Sequence, residues 1–303
     1  MIRSPVINRR VDWGALRTYM DAHYRAFDYA RFRERDPVRF LEPHRGDARA
    51  LEVVGFLAGA LAYGHVSIIL AHVRELLERI GEPLAYVREF RAKRALRDLA
   101  GFRHRFNDGR DVAYLLSSLG QVLERFGSLE NAVLAGQGEG ADLAPGLARL
   151  SAELAGADAR PVFGGRAKAP PASTRYLFPS PDAGSTCKRL FMFARWMVRR
   201  PDAVCPLDHG VWTRVSPKLL LVPLDTHTGR LVRYLGLAGP RRTLGLAMAR
   251  EVTAGLARLD PDDPVKYDFA LAHVGISGAC LHRRVPDVCG ACALDPVCRL
   301  GRR

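Results

Sequence analysis

The segment CLHRRVPDVCGACALDPVC, residues 280–298, holds four of the chain's six cysteines. Their spacing is C-x8-C-x2-C-x5-C, at Cys280, Cys289, Cys292 and Cys298. The chain starts MIRSPVINRRVDW, with no apolar run after its charges, so no signal peptide is expected. Without an oxidising compartment, four thiols this close argue for a bound metal centre rather than for disulfides. Two centres accept four cysteine sulfurs, a tetrahedral zinc and an iron–sulfur cluster. Zinc sites usually present two separated C-x2-C knuckles. Here one C-x2-C is flanked by longer arms, which suits the wider-set corners of a cubane cluster.

A second set of chemical residues lies in SPDAGSTCKRLFMFARWMVRR, from Ser180 to Arg200. Helical spacing puts Lys188, Met192, Arg195 and Arg199 on one face and Leu190, Ala194 and Met197 on another. A basic stripe with an apolar back is what a helix lying along DNA needs. Ser185 can cap that helix, and free amides at a helix start suit a phosphate. A third candidate is Asp225, a good N-cap for the periodic stretch Thr226–Leu235. The charge balance agrees with a polyanionic partner: 46 Lys+Arg against 32 Asp+Glu give +14. That surplus fits nucleic acid or an anionic membrane surface. Only five of those cations are lysines, at 93, 168, 188, 218 and 266.

The elements that must position these residues read as helices. Apolar residues make up 48% of the chain and charged residues 26%, a globular composition. VDWGALRTYMDAHYRAF, HVSIILAHVRELLERIG, DVAYLLSSLGQVLERFG and TLGLAMAREVTAGLARL repeat apolar residues at helical spacing. KLLLVPL is the one strand candidate, and Pro223 demotes it. The stretch VVGFLAGALAYGHVSIILA, Val53 to Ala71, has no charge and nearly the length of a membrane span. Tyr63, Gly64, His65 and Ser67 interrupt it, so two buried helices or one kinked helix are expected instead. Residues 136–173, rich in Gly, Ala and Pro, read as a long surface connection with one short helix inside. The expected class is all-α.

With these residues in hand, the tail resembles the C-terminal iron–sulfur loop of the endonuclease III-like DNA glycosylases of the helix-hairpin-helix superfamily. That loop has the spacing C-x6-C-x2-C-x5-C, so the last two intervals match and the first is two residues longer here. VPLDTHTGRLVRYLGL, Val222 to Leu237, resembles the family segment in which Asp-Thr-His opens a helix. FALAHVGISGAC is similar to its helix leading into the first cysteine. The reduced hairpin, with one glycine at Gly184, looks like the archaeal 8-oxoguanine glycosylase branch. CKRLFMFARWMVR and DPVKYDFAL are also similar to an uncharacterised bacterial family. The resemblance covers the chain from Ser180 onward; GFLAGALAYGHV alone extends it to the first half.

The resemblance implies two helical domains with an active-site cleft between them, a helix-hairpin-helix-like element and a C-terminal cluster loop. The first domain would span 48–200; the second would combine 1–47 with 201–303. Lys188 would be the nucleophile and Asp225 the carboxylate that stabilises positive charge on the sugar as a damaged base departs. Arg189 would hold Lys188 neutral by flanking it. The four cysteines would hold a [4Fe–4S] cluster, and Arg283, Arg284, Arg299, Arg302 and Arg303 would make the cluster loop basic. DNA contacts would come from Gly184, Ser185, Arg189, Arg195, Arg199, His227 and Arg230. Tyr63, His65, Trp196 and Trp212 would probe the DNA or grip the base. The partner would be double-stranded DNA with a damaged base, an oxidised purine being one option, bound by a cytoplasmic, nucleoid-associated monomer. Two other classes stay open: DNA binding without catalysis, and a cluster-containing redox or RNA-modifying protein.

Overall fold

The computed structural model describes residues 10–165, 169–239 and 243–300, and most of them are helical. Capping chemistry sets many of the starts. Asp12 Oδ1 accepts from Ala15 N at 3.0 Å ahead of α1 (Trp13–Ala26), and Asp28 does the same for the short α2 (Tyr29–Arg33). A 3₁₀ segment, Pro37–His44, leads to Asp47, which caps α3 (Ala48–Ala60). Each such cap satisfies an amide that has no partner inside its own helix.

The charge-free stretch resolves into two helices. α3 buries eleven of its thirteen residues, and α4 (Val66–Ile80) follows after a break at Tyr63-Gly64. Gly64 has φ +102°, and a Cβ there would meet the Arg105 side chain at 2.8 Å. The turn therefore needs glycine on conformational grounds, and a side chain there would also have to displace that of Arg105. α4 ends at Gly81, and α5 (Pro83–Arg88) and α6 (Ala92–Asp98) follow. A two-residue antiparallel hairpin, β1 (Arg103–His104) with β2 (Asn107–Asp108), then turns the chain into α7 (Gly109–Phe126). Asp108 and Asp111 form a reciprocal capping box at that start.

The Gly/Ala/Pro-rich stretch is not a surface connection. α8 (Leu129–Gln137) packs antiparallel on α9 (Ala144–Ala155), and Leu143, Leu147, Leu150 and Leu154 are all fully buried. These leucines recur at i, i+4, i+7 and i+11, one helix face. The Tyr114 hydroxyl of α7 donates toward Ala157 O at 2.9 Å and ties the end of α9 down. Short turns α10 (Arg160–Phe163) and α11 (Ala172–Arg175) and a 3₁₀ turn, Pro181–Ala183, precede α12 (Lys188–Val198). KLLLVPL is likewise no strand: a 3₁₀ turn at Pro217–Leu219 runs into extended chain. α13 (Thr226–Tyr234), α14 (Leu246–Ala257), α15 (Asp268–Ile276) and α16 (Pro286–Gly290) complete the fold. None of these helices is long and apolar enough to cross a membrane, among the described residues.

α12 is the central helix. It lies along α3, where Gly55 and Gly59 open the surface: Cβ atoms there would stand 3.0 Å from Met197 Cε and 3.4 Å from Arg189 O. Two more polar devices lock this centre. Glu52 of α3, fully buried, accepts from Trp212 Nε1 at 2.7 Å, Glu130 N at 2.9 Å and Arg49 Nη1 at 3.0 Å. On the opposite side Arg195 and Arg199 enter an acid-lined interior, described below. The apolar core runs without interruption from α1 through α15.

Candidate functional site

The start of α12 and the start of α13 meet. Lys188 Nζ donates to Asp225 Oδ2 at 2.7 Å, although the two residues are 37 apart in the chain. The other carboxylate oxygen, Oδ1, accepts from Thr228 N at 2.8 Å and caps α13. The two oxygens of Asp225 thus have separate partners. Burial pushes the Asp225 carboxyl up, but the Lys188 ammonium and the Thr228 bonds outweigh it and hold it below the ordinary carboxylate range. The pair is partly open to solvent: its side chains are 35% and 19% exposed.

The local backbone explains how Lys188 gets there. Gly184 has φ +71° and Cys187 φ +43°, so the chain makes two left-handed bends before α12 begins. Ser185, two residues before the N-cap Cys187, accepts at its Oγ from Cys187 N at 3.3 Å, so it does not cap the first turn of α12 directly. Gly184 O accepts from Leu246 N at 3.0 Å, which docks the turn on α14. Before the turn stand only the four-residue α11 and a 3₁₀ turn. The element is therefore a turn followed by one full helix, not two helices around a hairpin. Gly184 and Ser185 are exposed at its tip; on α13, His227 is exposed and Arg230 half-buried.

The basic stripe expected on α12 is not there. Arg195 and Arg199 are 2% and 1% exposed. Arg195 reaches Asp268 at 2.9 Å and Asp208 at 3.2 Å. Arg199 reaches Asp208 at 3.1 Å, Asp263 at 2.8 Å and Asp202 at 2.8 Å. Tyr24 joins them, its hydroxyl accepting from Arg199 Nη2 at 2.7 Å and donating to Asp202 at 2.6 Å. Neither arginine can touch a phosphate. The reason lies outside α12: segments carrying Asp202, Asp208, Asp263 and Asp268 pack over this face, and buried charges must be paired inside. Burial pushes Asp268 up to about 6 against the pull of Arg195.

Three other assignments also change. Trp196 and Trp212 are core residues, 3% and 1% exposed, and Trp212 is held by Glu52, so neither ring can grip a base. Arg189 does not flank the lysine's ammonium: its guanidinium donates to Ala60 O and Tyr176 O and lies against the Tyr63 and Tyr176 rings at 5.1 and 4.4 Å. The charge next to Lys188 is the Asp225 carboxylate instead. His65 is exposed at the start of α4, with Nδ1 2.8 Å from Ser67 Oγ, and Tyr63 is half-buried in an aromatic cluster.

The cysteine segment folds back on α13 and α15. Cys280, Cys289, Cys292 and Cys298 line one small cavity, walled by Leu231, Val274 and Leu294 among others. Burial pushes the Cys280 and Cys298 thiols up, and the neighbouring cysteines add to it. Arg284 pairs with Asp295, Nη2 to Oδ2 at 3.0 Å, and joins the two ends of the cysteine segment; it is not free for phosphate. Arg283 is exposed, and Arg299 N donates to Tyr234 O at 2.7 Å. Arg302 and Arg303 lie outside the described residues. No three His, Cys, Asp or Glu side chains converge so as to hold a single ion, among the described residues. The four cysteines share this largely apolar space.

What the sequence reading missed is a surface beside the start of α12. Phe106, at the tip of the β1–β2 hairpin, and Tyr176, just after α11, are 47% and 45% exposed. Both touch Tyr63. A phenylalanine in the polar run RHRFND was the available signal.

A family described as "Protein of unknown function (DUF2400)" matches residues 36–277. The match contains Lys188 and Asp225 and ends before Cys280. No match to the chain is found among curated proteins or among solved structures.

Proposed function

The chain belongs to this family of unknown function, and we propose that it is a DNA repair glycosylase that removes a damaged base through Lys188 and Asp225, with associated strand cleavage. One observation carries the reading. The two residues that the sequence nominates as nucleophile and carboxylate, 37 positions apart, are 2.7 Å from each other. A helix cap alone would not need a lysine on its free oxygen.

The chemistry follows from that contact. Asp225 Oδ2 is placed to take the proton that Nζ must lose before its lone pair can attack C1′ of the sugar. The C1′–N bond then breaks, and its electron pair leaves with the base, which picks up a proton. The proton that the base picks up is the one Asp225 took from Nζ, and the carboxylate restored by that transfer stabilises the positive charge developing on the sugar. Ring opening gives a Schiff base on Nζ, and loss of a C2′ proton expels the 3′ phosphate. The damaged base has to leave the stack to reach this site. The protein acts as a monomer, with Lys188 supplied by the unit 48–200 and Asp225 by the unit made of 1–47 and 201–303.

The four cysteines line one cavity with apolar walls, and we infer that they would hold a [4Fe–4S] cluster, which takes one thiolate at each of its four irons. Bound there, the cluster would cross-link the C-terminal loop. Cys280 would tie it to the end of α15, and Cys298 to the segment that pairs with Tyr234 of α13. Since Asp225 caps α13, the cysteines would act on the site by holding that helix.

Borohydride trapping against a panel of damaged duplexes tests the reading. A covalent adduct that forms with the wild type and not with Lys188→Gln supports it; no adduct and no base release with any lesion refutes it. The reduced element before α12 favours one other reading, DNA binding without excision, and that second result would select it.

A further inference from the structure

Three elements each bring one aromatic ring to a single surface patch. Tyr63 comes from the break between α3 and α4, Phe106 from the hairpin tip and Tyr176 from the chain after α11. The rings contact one another pairwise: Tyr63–Phe106 at 5.5 Å, Tyr63–Tyr176 at 5.0 Å and Phe106–Tyr176 at 4.8 Å between centroids. Two of them remain nearly half exposed, which is unusual for large apolar rings that have each other to hide behind.

The patch is held rigid from beneath. The Tyr63 hydroxyl is 2.5 Å from Asn107 Oδ1 and 3.1 Å from His104 O, so it pins the hairpin. Asn107 Nδ2 donates to Asp111 Oδ2 at 2.9 Å and to Ser173 O at 2.8 Å, which ties the hairpin to α11. Asp111 Oδ1 accepts from Ser173 Oγ at 3.1 Å and from the Thr174 hydroxyl. From the other side Arg189 bonds Ala60 O and Tyr176 O and lies against two of the rings. The tip itself is bent by Arg105, a non-glycine residue at φ +56°. A buried hydrogen-bonded network and a left-handed residue are spent on presenting exposed rings, which is the arrangement of a preorganised contact.

The charge around the rings selects the partner. Arg103, Arg105 and Arg175 are exposed on the same three-element surface, and the chain as a whole carries +14. Flat apolar rings beside exposed cations match a flat base attached to a phosphate. We propose that Phe106, Tyr176 and Tyr63 form a stacking platform for an unpaired nucleobase, with Arg105 taking the adjoining phosphate. The occupant is a single-stranded or locally opened stretch of nucleic acid. This rests on the nucleic-acid part of the preceding reading and is independent of the chemistry at Lys188.

The test is fluorescence anisotropy of the full-length protein with an undamaged, labelled oligothymidylate, titrated at several salt concentrations. Three proteins are compared: wild type, the double variant Phe106→Ala/Tyr176→Ala, and Arg105→Gln. Loss of two stacking rings should weaken binding about tenfold or more at every salt concentration, with the salt slope unchanged. Arg105→Gln should reduce that slope by about one. Thermal unfolding of each variant checks that exposed-residue changes leave the fold intact. Equal affinity of the wild type and the folded ring variant overturns the platform. So does no binding of the oligonucleotide by the wild type, the result expected if the patch serves a protein partner. Borohydride trapping run in parallel separates the two ideas. Trapping without ring-dependent binding removes the platform and leaves the glycosylase, and ring-dependent binding without trapping does the reverse.

Discussion

Asp225 holds two partners on two different oxygens, and that division allows its structural and chemical roles to be measured separately. Asp225→Asn keeps an oxygen where Oδ1 meets Thr228 N, so the cap survives, but it puts an N–H group where Oδ2 met the Lys188 ammonium. Asp225→Ala removes both contacts. Losing the cap costs about 1 kcal/mol. Losing the ion pair costs about 0.5–1 kcal/mol, a discounted value because a third of the Lys188 side chain is exposed and solvent screens the charge. Asparagine should therefore destabilise by about 0.5–1 kcal/mol and alanine by about 1.5–2 kcal/mol. Each kilocalorie corresponds to a shift of about 2 °C in Tm for a chain of this size.

Excision should not follow the same order. If the charge on Oδ2 acts in the transition state, both variants lose about 10²–10³ in single-turnover base release, since a fixed electrostatic partner of a developing charge is worth about 3–4 kcal/mol. The asparagine protein is then nearly as stable as the wild type and inactive. Linkage adds a check on the same group. Its folded-state carboxyl sits below the ordinary range, so the stability it gives is present above the unfolded value, about 3.9, and is lost as pH falls through the folded value. The difference between wild type and Asp225→Ala should shrink in acid. Excision by folded Asp225→Asn at the wild-type rate would refute the catalytic role and leave Asp225 a helix cap.

Protein purified without oxygen should be brown, with broad absorbance near about 400 nm and four irons per chain; stoichiometric zinc without iron refutes the cluster, and Cys292→Ala should lose the colour and solubility together. His104 of β1 is fully buried, 3.0 Å from His72 by its Nδ1, and burial followed by the charges of His72 and Arg105 lowers its pKa to about 4. The unfolded chain then takes up a proton between about 6.5 and 4, so stability should fall by as much as about 3 kcal/mol as pH drops through that window. Urea titrations should show this fall in the wild type and a flatter profile in His104→Asn; parallel profiles would remove His104 as the cause. Arg195→Met should leave Asp268 without its buried cation, and Asp208 with Arg199 alone, and destabilise by about 3–5 kcal/mol, seen in denaturation, whereas a surface phosphate contact would show as a smaller salt slope in a protein of unchanged stability.

The sequence was a good guide wherever period and capping agreed. α1, α4, α7 and α14 show apolar residues at helical spacing, and Asp225 stands at the start of α13 as its cap. It misled where composition was read in place of period. The leucines 143, 147, 150 and 154 form a full buried face, but the Gly, Ala and Pro between them look like a connection. Small residues there let α8 and α9 pack closely: a Cβ at Gly146 would sit 2.7 Å from Val133 O. On α12 the error was of the opposite kind. Period put Lys188, Arg195 and Arg199 on one face, and burial separates them, since the acids that neutralise the two arginines come from 202, 208, 263 and 268. Spacing along one helix cannot reveal what packs over it. The exposed platform had the weakest signal of all, because its three rings come from three separate segments.

The neutralised arginines bear on where the chain's charge acts. Arg195 and Arg199 contribute +2, and their buried partners Asp208 and Asp268 contribute −2, so this interior accounts for none of the +14. In a chain with 46 Lys+Arg, of which five are lysines, the position facing Asp225 is a lysine. An arginine there could grip the carboxylate with two N–H groups and would make the stronger pair. It could not give up a proton at neutral pH, and so could not attack a sugar. Lys188→Arg separates pairing from nucleophilicity more sharply than a neutral replacement does. If Lys188 serves only to hold Asp225, the arginine variant keeps or gains stability and every activity of the wild type. If Lys188 is the nucleophile, the variant unfolds at the wild-type temperature or above, binds DNA as before, and forms no borohydride adduct with any lesion. An adduct that forms with Lys188→Arg at the wild-type rate would move the Schiff base to another amine and end the assignment.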